Sequence, residues 1–112
     1  MFRRKLNVPI FDAVVYIGVT ENLQDYYAKY GIKDDADAGY DAVAIQVDDS
    51  ENKYELVFVN TEPHVIVHEC VHLKNYIFKH IGFALSIDND EIEALFVDWL
   101  FKEVSNIVNN RQ

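Results

Sequence analysis

Hydrophobic and polar positions change their period several times along the chain, and each change marks an element. Residues 10–19 run Ile-Phe-Asp-Ala-Val-Val-Tyr-Ile-Gly-Val. They are rich in β-branched and aromatic side chains and apolar on both faces, which predicts a central strand. Pro9 suits its first position, where a missing N–H does least harm. Leu23, Tyr26, Tyr27 and Tyr30 then recur at helical spacing, with Thr20 placed as N-cap and Gly31 as a C-terminal stop. This predicts a short amphipathic helix whose tyrosines lie at the core boundary with their hydroxyls in water. Tyr40 to Val47 alternates, 48–52 is a turn cluster, and Tyr54 to Val59 is a further apolar run. Together they predict a β-hairpin.

A longer helical period follows. Thr61 is placed to cap a helix over 61–81, with Glu62 at its positive end, Pro63 in its first turn and Gly82 ending it. At 100° per residue, Ile66, Val67, Cys70, Val71, Leu73, Ile77, Phe78 and Ile81 share one side. His68, Glu69, His72, Asn75, Tyr76 and Lys79 share the other, so neither histidine is expected in the core. Residues 83–87 form a connector. A second long helix is expected over 89–109, with Ile92, Leu95, Phe96, Trp99, Leu100, Val104 and Ile107 as its apolar stripe. The prediction is a single α+β domain over 1–112: a small twisted mixed sheet of three to four strands with three helices, in the order β-α-β-β-α-α. Residues 1–7 are expected as a basic arm and 109–112 as a frayed tail.

Length and charge narrow the function. The chain has 112 residues, enough for one modest core. Its formal charge is −9, and positive charge clusters only at Arg3-Arg4-Lys5, without interleaved aromatics. No nucleic-acid partner is expected. No apolar run is long enough to span a bilayer, and no h-region with a cleavage site follows the basic start. The expectation is no membrane contact and a cytoplasmic setting. The single cysteine, Cys70, excludes an internal disulfide and fits a reducing compartment. Residues 33–39 form an acidic loop. Counted from Asp34, Gly39 meets the EF-hand requirement, but Ile45 stands where a glutamate must be, so a solvated loop is expected.

The stretch that calls for chemistry is His68-Glu69-Cys70-Val71-His72. Two imidazoles four residues apart on a helix lie one turn above each other and can grip one metal ion. The carboxylate between them can take a proton from a water beside the ion. A zinc enzyme needs a third protein ligand. Glu91, at the start of the next helix, is one candidate; it is equally read as half of a capping box with Asp88. Asp90, Glu93 and Asp98 are further candidates, and Asp98 could instead orient a ligand histidine. His64 is one turn too far from His72 to share a tetrahedral ion, because the outer rings of the column stand roughly 11 Å apart. It is read as a surface residue, and His80 as a favourable charge at a helix C-terminus.

With His68-Glu69-Cys70-Val71-His72 followed by Asn89-Asp90-Glu91-Ile92-Glu93-Ala94, the chain resembles the zincin-like metallopeptidases of the gluzincin type. More narrowly, over His68–Tyr76 and Asn89–Trp99, it looks like small zincin-like proteins encoded by tailed bacteriophages and their prophages. The resemblance implies Zn2+ held by His68, His72 and Glu91, with Glu69 as general base and a peptide or protein as substrate. It implies work in a host cytoplasm or in a virion. The chain departs from the larger members in three ways. Its 112 residues leave no room for the helical second domain, Leu95 stands where an acidic partner to the first histidine often lies, and only Tyr76 and His80 are offered for the oxyanion. A non-catalytic structural or assembly protein of a virion on the same scaffold, with or without zinc, is the alternative. A binding module with an accidental motif is the third reading.

Overall fold

The structure, a computed structural model, describes residues 1–33, 39–48 and 50–111. The acidic loop expected over 33–39 falls largely at 34–38, outside the described residues. Among these residues four strands form one mixed sheet: β1 (Phe2–Val8), β2 (Ala13–Val19), β3 (Ala42–Asp48) and β4 (Lys53–Phe58), in the spatial order β1-β2-β4-β3. β1 and β2 pair antiparallel, as do β3 and β4, while β2 and β4 run parallel and join the two hairpins. Among the described residues three α-helices complete the fold: α1 (Leu23–Tyr30), α2 (Pro63–Ile81) and α3 (Glu91–Asn109). The α+β class and mixed sheet are as expected, and the observed order is β-β-α-β-β-α-α.

The added strand corrects the reading of the N-terminus. Residues 1–7 are not an arm but supply most of β1. Their charges are compatible with an edge strand, where Lys and Arg discourage pairing with other chains. Every residue of β1 has a partner in β2, from Phe2 with Val19 to Val8 with Ala13. β2 starts at Ala13 rather than residue 10, because the chain turns at Asp12, where φ is +52°.

Helix boundaries also moved by a residue or two. Asn22, not Thr20, caps α1: its side-chain oxygen accepts the Asp25 N–H at 3.0 Å. Thr20 instead donates its hydroxyl to the Asn22 carbonyl at 3.0 Å. Glu62 occupies the N-cap of α2 ahead of Pro63, and Asn60 Oδ1 accepts the Glu62 N–H at 2.9 Å. Gly31 and Gly82 end α1 and α2 at φ +66° and +75°, a region where a side chain would be strained.

The core has two parts, one on each face of the sheet. On one face, α2 and α3 bury Ile66, Cys70, Leu73, Ile77 and Phe78, and Phe96, Leu100, Val104 and Val108, against Val15, Ile17, Tyr54, Leu56 and Phe58. Each fully buried large apolar side chain is worth about 1.5–3 kcal/mol. At one end Phe11, Phe78 and Phe96 meet with ring centroids 4.8–5.6 Å apart. On the other face, α1 buries Leu23, Tyr26 and Tyr27 against Val57. The Tyr26 ring lies directly over Gly18, where there is no side chain to displace it.

Two expected stripes turned. On α3 the buried row is Phe96, Leu100, Val104 and Val108, at strict fourth positions, which leaves Ile92 and Leu95 exposed. On α2, Val67, Val71 and Ile81 are exposed, while Glu69 and Lys74 are buried. The arc buried on α2 is wide because the sheet lies under it and α3 beside it.

Candidate metal centre

His68 and His72 stand on exposed positions of α2, one turn apart. Their Nε2 atoms are 3.2 Å apart and their rings meet edge to face at 4.8 Å between centroids. The separation suits a hydrogen bond between two neutral rings, one donating and one accepting. It also suits joint ligation. Two nitrogens on a tetrahedral zinc at about 2.0–2.1 Å lie roughly 3.3–3.4 Å from each other. The distance between the two nitrogens is thus already close to that of two ligands on one zinc.

Glu69 follows His68 but faces inward and is only 7% exposed. Burial pushes its carboxyl pKa up, and the neighbouring imidazoles of His68 and His72 pull it back in part. A carboxylate less willing to stay charged is a better proton acceptor, which is what general-base work asks of it. Sequence pattern placed Glu69 on the polar side with the histidines, whereas it sits on the flank where the helix turns toward the core. Cys70 is fully buried, and burial pushes its thiol up to about 12, so it is inert as a ligand or nucleophile.

The third ligand expected from α3 is not brought to the pair. Glu91 is the first residue of α3 and is exposed. Among the described residues, no group of three or more His, Cys, Asp or Glu is arranged to hold an ion. The cause lies two residues on. Glu93 forms an ion pair with Lys74, which is nearly fully buried on α2, and Lys74 also donates to Asn75 Oδ1 at 2.6 Å. That contact aims the Glu93 side of α3 at α2, and Glu91 lies about 200° around the helix from it. The capping box does not form either: Asp90 occupies the N-cap without a side-chain bond, and Asp88 belongs to a preceding 3-10 turn over Ile87–Asn89.

The remaining candidates are also accounted for. Asp98 pairs with Lys102 at 3.1 Å on the surface of α3 rather than with an imidazole. Asp90, Glu93 and Asp98 share a shallow groove with Val67. Tyr76 is half-buried and stacks on Tyr54 at 6.2 Å. His80 is exposed in the last turn of α2, and His64 Nδ1 lies 3.4 Å from a Glu62 carboxylate oxygen.

No family model, curated protein or solved structure matches the chain. The site is therefore interpreted through its own chemistry. Among the described residues no helix is long and apolar enough to cross a membrane.

Sequence reading missed two buried ion pairs. Lys74 falls inside the apolar arc of α2, between Leu73 and Ile77, and a lysine there needs a counter-charge. Glu55 likewise interrupts the apolar run of β4. It is 1% exposed, is paired with Arg3 of β1 and accepts the Tyr26 hydroxyl at 2.9 Å. The Arg3 guanidinium lies 3.8 Å from the Tyr16 ring centre. The signal in both cases was a charge at a core position.

Proposed function

We propose that this chain is a zinc-dependent hydrolase of peptide bonds centred on His68, Glu69 and His72. The observation that carries the reading is the 3.2 Å approach of the two Nε2 atoms with the Glu69 carboxyl buried at their flank. Bound zinc would polarise a substrate carbonyl and lower the pKa of a water to about 7. Glu69 takes the proton released as the water oxygen bonds to the carbonyl carbon. It returns that proton to the amine as the C–N bond breaks. On this reading the substrate lies as an extended peptide along β3, an outer strand of the sheet that α2 contacts. On this reading Glu91 is the third protein ligand, and α3 must shift at its first turn to deliver it. The buried, reduced Cys70 fits an intracellular setting.

The test pairs cleavage with metal content. Wild type with one zinc per chain should cleave members of a peptide library, and Glu69→Gln should retain zinc and lose cleavage. Cleavage that survives in Glu69→Gln overturns the mechanism. A second reading, a non-catalytic scaffold, is favoured by the lack of a third ligand beside the pair among the described residues. Zinc without cleavage in wild type would select it.

A further inference from the structure

We infer that His68 and His72 form half of a zinc site that a second copy of this chain completes, joining two α2 helices through one ion. The inference rests on the reading that the pair binds zinc but not on hydrolysis.

Two observations and a symmetry argument carry it. The two Nε2 atoms are already at the spacing of adjacent tetrahedral ligands. Among the described residues, the chain supplies no third His, Cys, Asp or Glu to the pair, so an ion held there retains open positions. A two-fold axis through the ion fills both at once, because whatever one copy donates the other donates as well. The result is four imidazole nitrogens, a closed tetrahedral shell with no position for a water, so the joined pair is a resting form and cleavage belongs to the single chain.

The surface around the pair suits a second helix. The exposed α2 positions from 67 to 75 are Val67, His68, Val71, His72 and Asn75. None carries a fixed charge, in a chain that is 26% charged with a net charge of −9. The two ionic side chains in this stretch, Glu69 and Lys74, are both buried. Val67 and Val71 are 38% and 39% exposed, side chains that an α2–α2 crossing would cover. Elsewhere two copies repel each other through their net charge, so the zinc-joined pair should tighten as salt rises and screens that repulsion.

The experiment is a zinc titration of the full chain, followed by sedimentation and by metal analysis of the separated species. The expected result is a doubling of mass that saturates at one zinc per two chains and reverses with a chelator. His68→Ala and His72→Ala should each remain single chains, with thermal unfolding unchanged in metal-free protein because both positions are exposed. His64→Ala should still pair. One zinc per chain at the mass of a single chain overturns the inference and leaves the hydrolase reading intact. Pairing that survives the chelator also overturns it, since the ion is then not what joins the copies. A protein that binds no zinc overturns both readings together.

Discussion

A carboxyl whose pKa is raised by burial leaves a signature in the pH dependence of stability. Glu69 has an ordinary value of 4.5, and folding moves it up. Between the unfolded and folded values the native state holds more protons than the unfolded chain. Stability is therefore lost as pH rises through that window, and the loss is complete above the folded value. In metal-free protein, Glu69→Gln should unfold at a higher temperature than wild type at neutral pH, with the difference closing as pH falls below 4.5. A constant difference across the titration would sink the argument. The same substitution removes the base, so one residue is asked to gain stability and lose cleavage. Gly18 gives a second test on this scale. A Cβ there meets the Tyr26 ring itself, not only its hydroxyl. Gly18→Ala should cost about 1–3 kcal/mol in urea unfolding, and adding Tyr26→Phe should not restore it, because the ring remains.

Between elements, the Lys74–Glu93 contact between α2 and α3 decides where the first turn of α3 lies. Its two partners are unequal: the Lys74 side chain is 4% exposed and that of Glu93 28%. Removing the carboxylate strands a buried ammonium, so Glu93→Ala should cost about 3 kcal/mol. Removing the ammonium leaves a carboxylate that reaches water, so Lys74→Met should cost only about 1 kcal/mol. Equal losses in chemical denaturation would overturn this account. If α3 must shift to bring Glu91 to the histidines, Lys74→Met should also strengthen zinc binding. These contacts mark what the sequence could and could not reveal. The helical spacing of His68 and His72, the glycine stops at Gly31 and Gly82 and the β3–β4 hairpin are local patterns, and they were legible. The placement of Glu91 depends on which face of α3 meets α2, a choice made by a pair nineteen residues apart in sequence. The rotation of Glu69 into the flank has the same origin, since it depends on what packs beside α2. β1 was hidden because its inward residues, Leu6 and Val8, are masked by the charges at Arg3, Arg4 and Lys5.

Across the whole molecule, the N-terminal strand is part of the core's electrostatics rather than an appendage. Arg3 is the counter-charge of Glu55, and Glu55 is 1% exposed on the adjoining half of the sheet. Deleting residues 1–7 should therefore cost more than about 3 kcal/mol, and far-ultraviolet circular dichroism should record a large drop in melting temperature. A dispensable arm would leave the melting temperature unchanged. The single parallel contact between β2 and β4 has a different consequence, in the order of folding events. Each hairpin pairs neighbours in sequence and can close within microseconds. Joining them requires Val14 to find Lys53 and Val19 to find Phe58 across all of α1 and β3. That step bears the loop-closure entropy and should set the rate. In stopped-flow measurements, Leu56→Ala on β4 should slow refolding. Val108→Ala near the end of α3 should chiefly accelerate unfolding, because its contacts form after the two hairpins have met.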